Sequence, residues 1–189
     1  FRRVLFRSKK IALFLALFFM VGCGYKPVSK ITSDILGNSI FVDAIMSKTD
    51  PQNTVAIKDA VREGVVYRLH KKLVSRNVAQ SYIEVSINSL NFSALTYDQY
   101  GYVTSYRANL SLNFKTKLKD GRVVNLTGTG DHDFRVTKLL KSVRDTSSVI
   151  SDQERYSAIQ NASLQAFDEF IAALSIEGLK NKNNENIQK

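Results

Sequence analysis

The longest regular pattern in the chain is a strict alternation of apolar and polar residues that begins at Tyr106. A period of two over this length predicts a long antiparallel strand with one buried face and one solvated face. The inward set is Tyr106, Ala108, Leu110, Leu112, Phe114, Thr116 and Leu118, and the outward set is Arg107, Asn109, Ser111, Asn113, Lys115, Lys117 and Lys119.

The segment before it, "SYIEVSINSLNFSALTY", predicts the partner strand of a hairpin. Ile83, Val85 and Ile87 alternate with polar residues, whereas the next apolar residues begin at Leu90 on the opposite parity. A β-bulge near Ser89 would keep both sets on one face of the sheet.

The turn "KDG" predicts the register of a third strand. A two-residue turn would place a polar residue opposite Phe114 on the core face. A three-residue loop with Gly121 in the left-handed conformation places Leu126 there instead, so we predict the longer loop. The same register puts Gly128 and Gly130 on the inner face, where missing side chains would let a helix sit close to the sheet.

Two segments have the 3.6-residue period of amphipathic helices. Residues 48–76 are predicted to form one helix, and a second helix is predicted from residue 152 to a stop at Gly178. Gly64 lies in the apolar stripe of the first helix. Because glycine costs about 1 kcal/mol relative to alanine inside a helix, we expect close packing against Gly64.

One more strand, "SIFVDAIM", precedes the first helix and has apolar residues on both faces, as an interior strand does. The element order is therefore strand, helix, three antiparallel strands, helix. It predicts an α+β fold with two helices packed on one face of a four-stranded, largely antiparallel sheet, over residues 38–178. The last residues, 179–189, are low in complexity and are predicted to be a disordered tail.

The amino-terminal segment has the pattern of a secretory signal peptide. Five basic residues and no acidic ones precede an apolar run of eleven residues, Ile11 to Val21, which is too short to span a bilayer. The sequence "MVGC" resembles the lipobox of bacterial lipoproteins, and this resemblance implies cleavage after residue 22 and lipidation of Cys23. An ordinary signal peptide that happens to contain a cysteine is the alternative. Residues 23–37 are then predicted to be the lipid anchor and tether.

Charge and candidate chemistry point away from nucleic acid and from catalysis. The formal net charge is +10, and removing residues 1–22 halves it, which weakens the case for nucleic-acid binding. No zinc spacing, calcium loop or phosphate-binding glycine loop is present, so we expect no metal and no cofactor. A hydrolase centred on His132, between Asp131 and Asp133, is the weaker alternative to a protein that is not an enzyme.

Two surfaces are candidates for binding. The outward face of the predicted long strand concentrates cations that could hold a polyanion or could serve only solubility. The hairpin tip "LTYDQYGY" carries tyrosines that would suit a protein contact, unless those nearest the strands simply pack inward. The candidate polyanion-binding residues are Arg107, Lys115, Lys117 and Lys119, and the candidate partner-contact residues are Tyr97, Tyr100 and Tyr102.

Across residues 22–178 the chain resembles the LptE family, lipopolysaccharide-assembly lipoproteins of Gram-negative outer membranes, in the form of its epsilonproteobacterial branch. The resemblance is carried by "GCGYKP", "NTVAIKDAVREGVVYRLHKKLV", "YDQYGYVTSYRANLSLNFK" and "SVISDQERYSAIQNASLQAFDEFIAAL". It implies a lipid-anchored protein on the periplasmic side of the outer membrane. It further implies a plug within the LptD β-barrel that assists barrel assembly and lipopolysaccharide delivery, and glycolipid binding through the basic sheet face.

A periplasmic lipoprotein adaptor, or pilotin, for a secretion pore is the alternative of a different class. Such a protein would recognise a peptide through a sheet edge or a helical groove. The two hypotheses differ in their partners, since an adaptor would bind a secretion-pore subunit and no glycolipid.

Overall fold

The computed structural model describes residues 28–47, 51–137 and 150–187, with side chains from 32 to 180 within those ranges. The predicted signal peptide and Cys23 lie outside the described residues. The α+β class is confirmed, but the sheet has five strands and the helices number three among the described residues. The elements are α1 Val28–Leu36, β1 Ser39–Ala44, α2 Pro51–Tyr67, β2 Lys72–Leu73, a 3-10 turn Arg76–Val78, β3 Ser81–Tyr97, β4 Val103–Lys117, β5 Val123–Arg135 and α3 Asp152–Ile187.

The sheet is mixed, with strand order β2-β1-β3-β4-β5. β1 pairs in parallel with both β2 and β3, whereas β3, β4 and β5 form an antiparallel meander. The parallel pairing follows from α2, which carries the chain back across the sheet between β1 and β3. The predicted interior position of β1 is confirmed, and the prediction of a four-stranded sheet is wrong because β2 adds an edge strand.

The predicted meander register is confirmed. Phe114 pairs with Leu126, and Gly121 has φ +88°, as a three-residue loop requires. The register between β3 and β4 shifts between Ile87 and Ser89, where the bulge is predicted. One face of β4 is accordingly buried from Ala108 to Leu118.

The first predicted helix ends earlier than its 3.6-residue period indicates. α2 stops at Tyr67, and the chain turns at His70, whose φ is +53°. The amide of Lys72 then donates to Asn38 O (3.1 Å) and that of Val74 to Ile40 O (3.1 Å). The chain at β1 satisfies these backbone groups, so pairing with the sheet replaces the last two predicted helical turns.

The second correction concerns the predicted tether, because part of it is α1. Thr32 and Leu36 are fully buried, and Ile35 O accepts a hydrogen bond from the amide of Lys119 (3.1 Å). The ammonium of Lys71 donates to Ser33 Oγ, and burial lowers the pKa of this lysine. Gly37 follows the last residue of the helix, and its φ of +74° is the left-handed conformation that commonly ends a helix.

α3 is the largest helix of the described chain and extends to Ile187, through the predicted stop at Gly178 and most of the predicted disordered tail. Its Phe167 and Phe170 rings lie against Phe114 of β4, with 4.5 Å between the ring centroids of Phe114 and Phe170. A Cβ added at Gly64 of α2 would lie 2.4 Å from Phe167 Cδ1, which confirms the predicted close packing. No helix in the described ranges is long and apolar enough to cross a bilayer.

The two inner-face glycines of β5 allow α3 to approach the sheet. A Cβ added at Gly128 would lie 2.1 Å from Ala166 O, and one added at Gly130 would lie 2.0 Å from Ala162 O. Both distances are well inside van der Waals contact, so the helix backbone lies where side chains would be. The predicted close approach is confirmed.

A capping box begins α3 and ties it to the end of β5. The amide of Glu154 donates to Ser151 Oγ (3.3 Å), and Glu154 Oε2 accepts from the amide of Ser151 (2.9 Å). Glu154 Oε1 accepts two more hydrogen bonds, from the amide (2.6 Å) and the hydroxyl (2.9 Å) of Thr137. Partial burial opposes the charge of this carboxylate, but the hydrogen bonds from Ser151 and Thr137 outweigh it and lower the pKa of Glu154 to about 2.

We expect Glu154→Gln to reduce the stability of the protein at pH 6 and to have little effect at pH 2. The carboxylate is favoured by folding because its pKa falls from 4.5 to about 2. Its contribution is therefore complete above pH 4.5 and is lost as pH falls through this window. Urea unfolding midpoints of both proteins at pH 6, 4 and 2 measure the difference. A gap between the two proteins that is the same at every pH would contradict the assignment.

Candidate binding surfaces

The helices cover one face of the sheet, and the other face, here called the open face, is polar along the meander. On β4 it carries the outward set predicted from the alternation, flanked by Ser93 and Asn91 of β3 and by Asp131 and Asp133 of β5. Hydrogen bonds such as Asn109 Nδ2 to Ser93 Oγ (2.9 Å) join the strands side by side. The open face is therefore a solvated platform suited to binding.

Arg107 does not present a free charge on this platform. Its Nε and Nη2 donate to the two carboxylate oxygens of Asp133 at 2.6 and 2.8 Å, and Asp131 Oδ2 lies 3.7 Å from Nε. The hydrogen bonds and charge of Asp133 raise the pKa of Arg107, and Arg107 in turn lowers that of Asp133. The predicted register of β4 and β5 already sets these two residues opposite each other, so the sequence contained this signal.

The other three candidate cations lie together at the opposite end of β4. Lys115, Lys117 and Lys119, here called the basic strip, are exposed and make no ion pair with the described residues. Strand geometry separates Lys115 from Arg107 by about 27 Å, eight residues along β4. The structure therefore divides the four predicted residues into a basic strip and a neutralised arginine.

The hairpin tip between β3 and β4 holds the three candidate tyrosines. Tyr97 is 61% exposed and Tyr100 74% exposed, whereas Tyr102 is half-buried. Asp98 Oδ1 accepts hydrogen bonds from the amides of Tyr100 and Tyr102, both at 2.9 Å. Gly101 completes the turn with φ +83°. The turn is thus held by the Asp98 carboxylate, and two of the tyrosines project into solvent.

An aromatic cluster on the inner face near this tip escaped the sequence analysis. The Phe134 ring stacks on Tyr106 (6.1 Å between centroids) and meets Phe92 edge-on (6.0 Å), and the Arg155 guanidinium lies 5.3 Å from the Phe92 ring. The sequence could have indicated this cluster, because the alternation places Phe92, Tyr106 and Phe134 on the same face of the sheet. Beside the cluster is a cavity of about 470 Å³. Its lining includes Ile45, Met46, Ile87, Leu90, Phe92 and Arg155.

The titratable groups of the described ranges form no metal site, and those around His132 lie on opposite faces of β5. No group of three or more His, Cys, Asp or Glu residues there could hold a metal ion. His132 pairs with Ala108 on the inner parity of β5, whereas Asp131 and Asp133 point to the open face and contact Arg107. The strand therefore separates the three groups on which a hydrolase hypothesis depends.

Several solved bacterial proteins, two of them described as lipoproteins, are similar to this chain at low sequence identity. Rare lipoprotein B from Shewanella oneidensis is 14% identical, with 80% of this chain and 98% of that chain covered and a TM-score of 0.40. A putative lipoprotein from Caulobacter crescentus is 11% identical, with 83% and 98% covered and a TM-score of 0.47. Protein XCC0632 from Xanthomonas campestris is 12% identical, with 77% and 87% covered and a TM-score of 0.48. No curated protein matches the chain.

The family comparison agrees with the resemblance found in the sequence. The model for the LptE lipopolysaccharide-assembly family matches residues 38–174, which include all five strands, α2 and most of α3. The match extends over more than half of the chain and covers both candidate surfaces. The chain belongs to the LptE family of lipopolysaccharide-assembly proteins.

Proposed function

We propose that this protein is an outer-membrane lipoprotein, anchored through Cys23, that plugs an LptD-like β-barrel. It helps to assemble the barrel and assists delivery of lipopolysaccharide to the cell surface. The observation that carries the proposal is the family match over residues 38–174, which spans the whole sheet. Within that sheet we assign the proposed contacts to the open face and the hairpin tip.

The polar character of the open face supports the plug hypothesis. The interior of a large transmembrane barrel is polar and hydrated, so a domain seated there needs solvated surfaces and not an apolar belt. Tyr97 and Tyr100 supply apolar area with polar tips at the end of the hairpin, a combination that is common at protein interfaces. We assign the barrel contact to this tip, including the half-buried Tyr102.

The basic strip supports direct binding of lipopolysaccharide. The phosphates of lipid A and of the core sugars are anions that lysine binds through charge-assisted hydrogen bonds. Lys115, Lys117 and Lys119 are exposed and form no ion pair with the described residues, although Glu84 lies opposite Lys115 on β3, whereas Arg107 is held by Asp133. We therefore assign the glycolipid contact to the basic strip, with Arg107 as a positioning partner of β5.

Affinity purification of the lipidated protein from detergent-solubilised outer membranes tests the barrel contact. We expect an LptD-like barrel in near-stoichiometric amount after a salt wash. The double variant Tyr97→Ala/Tyr100→Ala should reduce its recovery about tenfold or more, since exposed tyrosines at an interface centre contribute strongly. Tyr67→Ala is the matched control, because Tyr67 is 71% exposed at the end of α2, away from the hairpin.

One outcome would contradict the proposed barrel partnership, and another would contradict only the assignment of the contact to the hairpin tip. Recovery of a secretion-pore subunit in place of the barrel would support the adaptor alternative. Recovery of the barrel at equal levels with both tyrosine variants would remove the hairpin tip as the contact while leaving the barrel partnership intact.

A further inference from the structure

β5 is the outer strand of the sheet, so half of its backbone amides point away from β4. In an antiparallel ladder these outward amides belong to alternate residues. On β5 they are those of the odd-numbered residues, because the amides of Thr129 and Asp131 donate to side chains of α3 and not to β4. An outer strand with free amides can pair with another chain unless something covers it.

α3 covers the second half of this edge with hydrogen-bond acceptors. Glu169 Oε2 accepts from the amide of Thr129 (2.5 Å), and Gln165 Oε1 accepts from that of Asp131 (2.9 Å). Further along, Glu154 Oε1 accepts from the amide of Thr137 (2.6 Å). These acceptors satisfy the outward amides of Thr129, Asp131 and Thr137, so a strand added there would have to displace side chains of α3.

The first half of the edge, from Val123 to Thr127, is left uncovered because the side chains on the same face of α3 change there from polar to apolar. Continuing from Gln165 and Glu169 at helical spacing, the next residues are Ala172, Ile176 and Leu179, whose side chains carry no hydrogen-bond acceptor. The outward amides of Val123, Asn125 and Thr127 accordingly have no hydrogen-bond partner in the ranges that the structure describes. We call Val123 to Thr127 the open edge.

We propose that the open edge binds an extended segment of a partner protein by β-strand addition, and that this segment alternates apolar and acidic side chains. The backbone supplies alternating donors and acceptors, which is what an added strand needs. On the helix side, Ile176 is 56% exposed and Leu179 46% exposed, so apolar side chains of the segment would gain burial there. On the open face, the lysines of the basic strip lie within the range of electrostatic attraction for acidic side chains.

The charge of this region favours an acidic segment over a second copy of the chain as the occupant. In an edge-to-edge pair of two copies, the open-face residues brought together would be the uncharged Val123, Asn125 and Thr127, so the pair would gain no charge attraction, whereas an acidic segment would be attracted by the lysines on the neighbouring strand β4. The proposal does not depend on the function proposed above, because it requires neither a particular barrel nor a glycolipid.

Amide hydrogen exchange, read by NMR on the full chain, tests the proposal. The probe is a synthetic peptide of about seven residues that alternates valine and glutamate, which is the length of a typical strand. At millimolar peptide we expect exchange at Val123, Asn125 and Thr127 to slow about tenfold, with no change at Thr129, which is already bonded to Glu169. The same peptide, N-methylated on alternate residues, keeps its side chains and its charge but loses the amide donors that pair with β5. It should give no protection.

The substitution Asn125→Pro provides a second, independent test of peptide binding. Proline removes the outward amide and projects its ring into the path of an added strand, and the edge of a sheet tolerates it. We expect Asn125→Pro to abolish peptide binding, whereas Asn125→Ala, which keeps the amide, should bind as the unchanged protein does. Because neither variant alters a lysine, glycolipid binding should persist in both, which separates this test from that of the proposed function.

The proposal would be overturned by unchanged exchange at the three amides, by equal protection from the N-methylated peptide, or by equal binding to Asn125→Pro and Asn125→Ala. Concentration-dependent dimerisation that Asn125→Pro removes would also overturn it, because the occupant would then be a second copy.

Discussion

Replacing Gly130 with alanine is expected to lower the free energy of unfolding by about 3 kcal/mol, the upper range of overpacking effects. The new methyl group would lie 2.0 Å from Ala162 O and 2.8 Å from Ala166 N, which are backbone atoms of α3. A side chain in conflict can change rotamer, but a helix backbone cannot move locally without breaking its hydrogen bonds. The helix would have to lift from β5, which would also disturb its packing on Phe114.

Urea unfolding of the full chain, followed by circular dichroism, measures this effect. Gly101→Ala is the control, because a Cβ there meets nothing within 4 Å and the cost comes only from its φ of +83°. A left-handed alanine costs about 1 kcal/mol, so the two variants should differ by a clear margin. Equal destabilisation of the two proteins would show that α3 does not lie as close to β5 as the structure places it.

Reversing two charges of the basic strip, Lys115→Glu with Lys117→Glu, is expected to weaken binding to purified lipopolysaccharide about 30-fold. A lysine near an anionic lipid surface contributes about 1 kcal/mol, and loss of two such contributions corresponds to this factor. Both side chains are exposed on a strand whose other face is buried, so the substitutions should leave the fold intact.

The control for this experiment must have the same net charge. Arg62→Glu with Lys72→Glu changes charge equally at exposed positions of α2 and β2, at the opposite edge of the sheet. Binding by equilibrium titration should then fall only in the strip variant. If both variants lose affinity equally, the attraction is a property of net charge, and the assignment of the glycolipid contact to Lys115, Lys117 and Lys119 is wrong.

The meander was predictable because its determinants are close together in the chain. Alternation along β4 specified the buried face, the parity change specified the bulge near Ser89, and the chemistry of "KDG" specified the register. The close approach of α3 at Gly128 and Gly130 followed from that register alone. The pairing of Arg107 with Asp133 also follows from it, although the charge pattern by itself suggested a free cation.

The elements that were mispredicted are those whose partners lie far away in the sequence. The residues after Tyr67 have the period of a helix, but the amides of Lys72 and Val74 donate to Asn38 and Ile40, more than thirty residues earlier in the chain. The helix α1 has only nine residues, and its stability depends on burial of Thr32 and Leu36 and on contact with α3.

By itself, the amino-acid sequence determined the class of fold, the antiparallel meander with its register, and the polar character of the open face. These depend on side-chain period and turn chemistry, which act over a few residues. Only the tertiary structure decided that β2 joins the sheet edge, that α1 docks, and that the lysines of the basic strip make no ion pair with the described residues. It also decided which half of the β5 edge α3 covers. Each of these depends on which distant backbone and side-chain groups satisfy one another, and local pattern does not encode that choice.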